Sequence, residues 1–288
     1  MNLKRIIYLI WFASPRQNFN RIKTFINKNK IFYYSIEDIL NDQKHINPAQ
    51  LIDRGERYIR VINNNFPDCG FKDNFKIKDK IVFELGSGPL LGWGPISLFL
   101  GARKFIFSEV AFNAEVLKSK LIEEKYFLPL YEELVANYGE LMSYEFFLSK
   151  IRNDSINIIN EDNYNCDIVL SNSVLEHVKI IEIQKILKKI SANMSKGSYF
   201  IHAVDFSSHL KDKLEIYKNK KNKNSNSLNY LRFSDIAELI QNSGVDILGK
   251  VIYRTKKLNS LKIHKSWKKY KTFDLEVMTA IYFGIKRN

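Results

Sequence analysis

A glycine loop between an apolar run and a helical segment is the clearest chemical feature of the sequence. The apolar run Ile81–Leu85 ends in Gly86-Ser87-Gly88. Glycine lets a ligand approach the backbone closely, and the start of the following helix offers free amide donors. The loop departs from the dinucleotide fingerprint, because Leu91 stands where that pattern has its third glycine. The spacing therefore predicts a ligand-binding loop that is not built for a pyrophosphate.

Two glutamates accompany this loop. Glu84 lies two residues before Gly86, where a carboxylate suits a cationic or hydrogen-bond-donating group of a ligand. Glu109 follows a second apolar run, Lys104–Phe107, at the point where an acidic residue can bind ribose hydroxyls. A strand, a glycine loop, a helix and a strand within about 30 residues have the size of a βαβ unit. The alternative is a tight turn beside an unrelated surface glutamate.

Histidines and an aspartate follow the predicted fourth and fifth strands. His177 comes after the apolar run Asp167–Leu170, and His202, Asp205 and His209 come after the start of the next strand. A hydroxyl group that attacks another molecule must lose its proton to a base of near-neutral pKa, and histidine is the natural choice for that base. Metal ligation and simple hydrogen bonding within a loop are the alternatives. We favour catalytic roles for His202, Asp205 and His177, a substrate contact for His209, and no metal.

Arg232 is the second predicted substrate residue. It lies in the aromatic stretch Tyr230–Phe233, directly before a helix that we predict over Ser234–Ser243 with Ser234 as its cap. The planar guanidinium group of arginine binds a carboxylate or phosphate through paired hydrogen bonds. The alternative is a surface arginine on a loop.

Length and composition favour one α/β domain with an appendage. The chain has 288 residues, of which 45% are hydrophobic and 26% charged, and these values exclude a disordered or collagen-like chain. Its two cysteines, Cys69 and Cys166, argue against a disulfide scaffold and favour a reducing compartment. The sequence has no apolar run long enough for a membrane-spanning helix. We therefore predict a cytoplasmic protein.

The net charge of +14 is concentrated in three segments. Residues 1–30, 211–223 and 254–271 carry +7, +4 and +8, so the rest of the chain is slightly acidic. Basic flanks of this kind suit an anionic glycan or phospholipid surface, which predicts a peripheral contact with the inner face of the membrane. The wealth of Asn, Lys and Ile also follows from AT-rich codons, so the charge does not indicate a nucleic-acid partner.

Three segments resemble motifs of the class I S-adenosylmethionine-dependent methyltransferases. Val82–Gly88 resembles their motif I, and Glu109 matches their ribose-binding acid. Cys166–Val178, with its Leu-Glu-His ending, is similar to their fourth-strand motif, and Ser195–Ile201 resembles the turn and fifth strand. The resemblance covers roughly residues 77–288 and implies S-adenosylmethionine as the cofactor.

The resemblance also implies a fold. We expect an α/β, doubly wound, mostly parallel seven-stranded sheet with a C-terminal antiparallel hairpin, which Val245–Tyr253 and Val277–Ile285 would form. A helical extension or cap over residues 1–70 would precede the methyltransferase domain of residues 71–288. A Lys/Asn-rich insertion lies near residues 211–229.

The cofactor contacts follow from the same resemblance. The backbone of the glycine loop would approach the methionine part of the cofactor, Glu84 would lie near its amino group, and Glu109 would bind the ribose. Asn172 and Ser173 would line its reactive end. The adenine contact lies just after the third strand, where we choose Asp162 while Asn160 and Glu161 remain alternatives. The predicted cofactor residues are Glu84, Gly86, Ser87, Gly88, Glu109, Asp162, Asn172 and Ser173.

The implied activity is methyl transfer to a small-molecule or sugar acceptor, with O-methylation as our prediction. Cell-surface glycan or lipid-linked sugar assembly is the expected setting. One alternative is an RNA or nucleic-acid methyltransferase or binding protein, with Trp11, Trp267 and Tyr270 stacking on bases. We do not favour it, because Ser171–Val174 replaces the Asn-Pro-Pro-Tyr base-flipping motif. Another alternative is a non-catalytic scaffold that binds S-adenosylmethionine.

Overall fold

The computed structural model describes most of the chain between residues 34 and 287. The described residues are 34–41, 47–69, 75–158, 163–207, 214, 217, 229–255, 258 and 262–287. Several predictions lie outside them, namely those on residues 1–30, Asn160, Glu161, Asp162 and His209, and most of the insertion near 211–229. Within the described part of the chain, no helix has the length and apolar character needed to cross a membrane.

The chain divides into two compact units. The first comprises residues 1–57 and 77–161, and the second comprises residues 58–76 and 162–288. The predicted boundary at residue 70, between an extension and a methyltransferase domain, stays a prediction.

The first unit is built on three parallel strands. These are β1 (Ile81–Leu85), β2 (Lys104–Ser108) and β3 (Ser155–Asn157), with Phe83 opposite Ile106 and Phe107 opposite Asn157. Its described helices are α1 (Ile36–Asn41), the first part of α2 (Pro48–Asn65), α3 (Gly94–Phe99), α4 (Lys120–Ile122), α5 (Leu128–Tyr138) and α6 (Tyr144–Asp154). A 3₁₀ turn (Ala114–Leu117) and a π-helical turn (Glu123–Phe127) complete it.

Burial explains how β1 and α3 hold the loop between them. Four of the five residues of β1 are buried, and every residue of α3 is buried. Pro95 near the start of α3 has no amide hydrogen to satisfy, which suits the first turn of a helix. Gly94 lies so close to β2 that an added Cβ would come within 2.5 Å of the Phe105 ring. The loop from Gly86 to Trp93 is therefore fixed at both ends by the core.

The second unit contains the other four strands. β4 (Cys166–Asn172) and β5 (Met194–Asp205) are parallel, and β7 (Val277–Ile285) runs antiparallel to both β5 and β6 (Asp246–Arg254). Its remaining helices are α7 (Ile180–Asn193), α8 (Phe233–Gln241) and α9 (Thr272–Glu276), with 3₁₀ turns at Pro67–Cys69 and Lys265–Trp267.

The strand order of the seven-stranded sheet is β3-β2-β1-β4-β5-β7-β6. Strands β1, β2 and β3 are parallel to one another, as are β4 and β5, and the hairpin of β6 and β7 is antiparallel. The predicted fold class is confirmed: an α/β, mostly parallel seven-stranded sheet with a C-terminal antiparallel hairpin.

One local prediction needs correction. Helix α8 begins at Phe233, and the backbone amide of Arg232 donates to Asp235 Oδ2 at 2.9 Å. Ser234 is therefore inside the helix and is not its cap; its hydroxyl donates to Asp274 at 2.8 Å.

Candidate functional site

The glycine loop after β1 has a backbone that few other residues could adopt. Gly86, Gly88 and Gly92 have φ angles of 72°, 71° and 49°, in the left-handed region that favours glycine. The amide of Gly86 donates to the carbonyl of Ser108 at the end of β2, at 3.0 Å. A Cβ added to Gly88 would have nothing within 4 Å. The loop therefore presents open backbone at Gly88, which is what close approach by a ligand requires.

Glu84 lies beneath this loop and is only 6% exposed. Its Oε2 accepts a hydrogen bond from the Trp93 amide at 2.8 Å, and a Cβ on Gly92 would come within 2.5 Å of the same oxygen. Burial raises the pKa of Glu84 to about 8; the charge of Glu109 adds to this rise, while the Trp93 amide and Arg54 oppose it. A cationic ligand group beside this carboxyl would favour its ionised form.

Glu109 is held by backbone amides on both sides. Its Oε2 accepts from Gly88 N and its Oε1 accepts from Ala111 N, each at 3.0 Å. The amide group of Asn157 at the end of β3 donates to the Glu109 carbonyl at 3.1 Å. An ionised carboxylate offers about four acceptor positions, so about two remain for a ligand. That number suits a pair of neighbouring hydroxyl groups.

A cavity of about 70 Å³ opens between the start of α2 and the glycine loop. Asn47, Leu51 and Arg54 come from the α2 side, and Asn47 Oδ1 also accepts from Gln50 N at 3.1 Å as the cap of α2. The other lining residues are Ser87, Pro89, Leu90, Gly92 and Tyr126. The predicted cofactor residue Ser87 is thus buried at the cavity wall, with 8% exposure.

Arg54 was not among the predicted site residues. The signal for it is weak but present, since Asn47, Leu51 and Arg54 are spaced four and three residues apart and so lie on one face of a helix. Gly55, next in the chain, contacts Trp93 closely, and a Cβ added to Gly55 would come within 1.6 Å of the Trp93 ring. This contact fixes the start of α2 against the glycine loop.

The second unit carries the remaining predicted residues at the ends of β4 and β5. Asn172 Oδ1 accepts a hydrogen bond from the Tyr58 hydroxyl. Ser173 is exposed, has a φ of 54°, and its amide donates to the Ala203 carbonyl at 2.9 Å. The chain therefore turns sharply at the end of β4, while the cofactor roles of Asn172 and Ser173 stay predictions.

His202 lies inside β5, not after it as we predicted, because β5 continues to Asp205. It is 3% exposed, and its Nδ1 is hydrogen-bonded to Ser171 Oγ at 2.7 Å. Its ring stacks on Phe200 with centroids 5.2 Å apart. Burial lowers the pKa of His202 to about 4. The imidazole is therefore neutral near pH 7 and has little access to a ligand, which argues against His202 as a base, while its catalytic role stays a prediction.

Asp205 has hydrogen-bonding partners within its own loop. Its Oδ1 accepts from the Ser207 amide at 2.8 Å and from the Ser207 hydroxyl at 2.6 Å. His177 is half-buried and follows β4, with its amide donating to the Val174 carbonyl at 2.9 Å. Of the three predicted acid–base residues, His202 is buried, whereas Asp205 and His177 are half-buried.

Glu176 is a buried acid that the sequence analysis passed over within its Leu-Glu-His motif. It is 3% exposed, and its Oε1 accepts from Asp205 N at 3.2 Å. Its Oε2 is buried and accepts no hydrogen bond from any described residue. Burial raises the pKa of Glu176 to about 8, and the charge of Asp205 adds to the rise. This carboxyl is therefore largely protonated near pH 7.

Arg232 is in the interior, with 2% exposure, and its guanidinium group is not presented to an acceptor. It lies 5.5, 5.6 and 5.2 Å from the rings of Phe206, Tyr217 and Trp267. Its Nη1 donates to the Phe206 carbonyl at 2.8 Å and to the Tyr217 hydroxyl at 3.0 Å. This placement argues against the predicted substrate contact, and it makes Arg232 the centre of an aromatic cluster.

The structure also bears on two other roles considered above, base stacking on a nucleic acid and metal ligation. Trp267, which we named as a base-stacking residue, is 0% exposed and therefore has no free face for a nucleic acid. Within the described segments, no three His, Cys, Asp or Glu side chains are grouped closely enough to hold a metal ion. The alternative of metal ligation by His202, Asp205 and His209 includes a residue outside those segments, His209.

Comparison with known proteins gives matches among solved structures only. No family model matches the chain, and no curated protein matches it. The chain is similar to magnesium protoporphyrin IX methyltransferase from Synechocystis PCC 6803, solved with bound S-adenosylhomocysteine. That pair shares 12% identity with a TM-score of 0.46, and the match covers 99% of this chain and 100% of that chain.

Two further solved structures are similar at the same level. One is 1,6-didemethyltoxoflavin-N1-methyltransferase from Burkholderia thailandensis, with 12% identity, a TM-score of 0.44 and coverage of 96% of this chain and 92% of that chain. The other is an S-adenosylmethionine-dependent methyltransferase from Mesorhizobium loti, with 9% identity, a TM-score of 0.41 and coverage of 73% and 92%.

Proposed function

We propose that the chain binds S-adenosylmethionine on the glycine loop of the first unit and transfers its methyl group. One observation carries this proposal: the open backbone at Gly88 lies beside the Glu109 carboxylate, which is held by the Gly88 amide at 3.0 Å. A ligand with a ribose and a compact polar end suits that combination. Among the described residues, no cluster of basic side chains lines the cavity to bind phosphates, which argues against a nucleotide triphosphate as the ligand.

Each group of the cofactor has a matching group in the chain. Glu109 would accept hydrogen bonds from the ribose hydroxyls through its remaining lone pairs. Val110 beside it is 55% exposed and offers an apolar surface to the adenine ring. Glu84 would stabilise the ammonium group of the methionine part, and Gly86, Ser87 and Gly88 would line that part with backbone. The residues of the loop therefore fit the cofactor.

The cofactor supplies a methyl group already activated by its sulfonium charge, so the protein's main task is to orient the two reactants. For the acceptor we propose a small molecule or a sugar hydroxyl, and therefore O-methylation. A hydroxyl must lose its proton during the transfer, and we assign that step to His177, because it is half-buried directly after β4 whereas His202 is buried within β5.

Cell-surface glycan or lipid-linked sugar assembly is the setting that we propose, in the cytoplasm and at the inner face of the membrane. The support is the run of exposed lysines in the second unit, at positions 262, 265, 268, 269 and 271. Such a run attracts anionic surfaces over about a Debye length.

Calorimetry with S-adenosylhomocysteine is the first test of this function, followed by transfer of a labelled methyl group to fractionated glycans, lipids and RNA. We expect binding, and label in the glycan or lipid fraction. The absence of binding would overturn the proposal. Binding without transfer to any fraction would favour the scaffold alternative, and label in RNA would favour the nucleic-acid alternative.

The role of His177 has its own comparison. His177→Gln should lower the rate of transfer and leave the affinity for S-adenosylhomocysteine unchanged. His264→Gln is the matched control, because His264 is also half-buried but bonds to Ser266 in a turn far along the chain. Equal rates in the two variants would remove His177 from the mechanism.

A further inference from the structure

The cavity beside the glycine loop has a guanidinium group on one wall. Arg54 is exposed on α2 and lines this cavity of about 70 Å³ together with Ser87 and Gly92. Its neighbours Asn47 and Leu51 line the same cavity from the same helix face. Because Gly55 is packed directly on Trp93, this face of α2 is held against the loop.

The Arg54 guanidinium has no hydrogen-bond or ion-pair partner among the described residues. By contrast, Arg57, three residues later on α2, donates to Asp53 at 3.0 Å. Arginine carries five donors in a planar fork that matches a carboxylate. A group on the cavity wall with this unmet capacity is suited to a carboxylate that arrives with a ligand.

A cation thus lines the cavity, and a buried acid lies directly behind Gly92 in its wall. The Glu84 carboxyl lies beneath Gly92, close enough that a Cβ there would meet both of its oxygens, at 2.5 and 2.7 Å. Arg54 is near enough for its charge to oppose the rise in the pKa of Glu84. With Glu84 ionised by a cationic ligand group, the two side chains would match a zwitterion whose ammonium group lies on the Gly92 side, toward Glu84, and whose carboxylate faces Arg54.

The size of the cavity agrees with such a head group. At about 10–15 Å³ for each water-sized group, a cavity of about 70 Å³ has room for about five to seven such groups. An α-amino acid head group has five: one nitrogen, two carbons and two oxygens.

We infer that Arg54 binds the α-carboxylate of the methionine part of the cofactor, so that the start of α2 selects ligands that carry an amino acid end. The inference rests on the proposed function, because it takes S-adenosylmethionine as the ligand of the loop. It goes beyond that function by assigning a recognition role to α2.

Two ligands that differ in the amino acid end provide the test. S-adenosylhomocysteine carries the zwitterion, and 5′-methylthioadenosine has the same nucleoside and a thioether without it. In the full chain, Arg54→Gln should lower the affinity for S-adenosylhomocysteine by about 10- to 100-fold, as expected for loss of a charged hydrogen-bonded pair. The same substitution should change the affinity for 5′-methylthioadenosine by less than about twofold. Calorimetry measures both.

Arg57→Gln is the matched control, since it removes the same charge from the same helix at a residue that does not line the cavity. We expect it to leave both affinities unchanged, and Arg54→Lys to be intermediate, because lysine keeps the charge and loses the fork. If Arg57→Gln lowers the affinity for S-adenosylhomocysteine as strongly as Arg54→Gln does, the loss is caused by long-range electrostatics and the inference is wrong.

The proposed function and the role of Arg54 are disproved by different results. If the unaltered chain binds neither ligand, the proposed function falls and the inference falls with it. Suppose that the unaltered chain binds both ligands, and that Arg54→Gln lowers neither affinity or lowers the two affinities equally. The proposed function then stands and the role of Arg54 is disproved. Circular dichroism of each variant identifies a substitution that acts by unfolding the protein.

Discussion

The carboxylate of Glu109 accepts a hydrogen bond from the backbone amide of Gly88, 21 residues earlier in the chain, at 3.0 Å. The bond ties the loop after β1 to the end of β2. Because the Ala111 amide holds the other carboxylate oxygen, also at 3.0 Å, the group is oriented before any ligand arrives. A site oriented in advance loses less conformational entropy on binding.

The first prediction concerns Glu109 and the ribose. Glu109→Ala should weaken adenosine binding by about 10- to 100-fold, the cost of a charged hydrogen-bonded contact. The same variant should bind 2′,3′-dideoxyadenosine as well as the unaltered protein does, because that analogue has no hydroxyls to donate. Calorimetry with the two nucleosides measures the difference.

Glu115→Ala is the control for this experiment. Glu115 is exposed and paired with Lys118 at 3.6 Å, in the turn that follows Glu109. Its removal should leave both affinities unchanged. If Glu109→Ala lowers the affinities for the two nucleosides equally, Glu109 orders the loop and makes no contact with the ribose.

The second prediction concerns the open face of Gly88. Gly88→Ala adds a methyl group that meets nothing in the protein, so its structural cost is the left-handed φ of 71°, about 1 kcal/mol. The methyl group would occupy the space into which we place the methionine part. We therefore expect a small loss of stability in urea unfolding and a loss of at least about tenfold in S-adenosylhomocysteine affinity.

Gly139 offers a matched comparison. It has a φ of 79°, and a Cβ added there also has nothing within 4 Å. Because its ψ is 171°, Gly139→Ala should cost at least as much stability as Gly88→Ala, and it should leave binding unchanged. If both variants lose affinity equally, the loss comes from general strain and not from a ligand at Gly88.

The glycine loop was predictable from sequence because its determinants are local. An apolar run, two glycines and an acid at the next strand end are all read within Ile81–Glu109, and β1 and β2 appear within one residue of the predicted bounds. Strand β7 likewise matches the predicted Val277–Ile285, since it is a long apolar segment with clear ends.

The acid–base residues were not predictable in the same way, because distant segments decide their surroundings. Strand β5 continues to Asp205 because β7 pairs with it, up to Asp205 opposite Thr279. That pairing turns His202 from a loop residue into a buried one. The role of Arg54 was not predictable for the same reason. Its place on a cavity wall depends on the packing of Gly55 against Trp93, and a helical sequence pattern does not reveal that contact.

The third prediction concerns pH and stability. Glu84 and Glu176 both have pKa values raised by burial to about 8, from an ordinary value near 4.5. Between these values the folded protein holds protons that the unfolded chain releases, so stability is full below pH 4.5 and is lost as pH rises toward 8. Each group should lower the free energy of unfolding by about 3 kcal/mol between pH 6 and pH 8.5.

Glu176→Gln isolates one of the two contributions. Glutamine keeps an oxygen to accept the Asp205 amide but cannot ionise. Urea unfolding at pH 6 and pH 8.5 should therefore show about half of the original pH dependence in this variant. His202 adds a smaller change of opposite sign, because its lowered pKa of about 4 reduces stability below about pH 6.5, and this change is the same in the unaltered protein and the variant. An unchanged pH dependence would show that Glu176 is ionised in the folded protein at pH 7.

The fourth prediction concerns Arg232 and separates a structural role from substrate binding. Arg232→Met removes a buried cation in contact with three rings, and it leaves the Phe206 carbonyl and Tyr217 hydroxyl without their donor. We expect a loss of about 3 kcal/mol in urea unfolding, the cost of breaking a buried polar network. Arg103→Met, at an exposed position, should cost less than about 0.5 kcal/mol. If Arg232→Met keeps full stability and weakens only an acceptor, the guanidinium group is a substrate contact after all, and the aromatic cluster around Trp267 opens in solution.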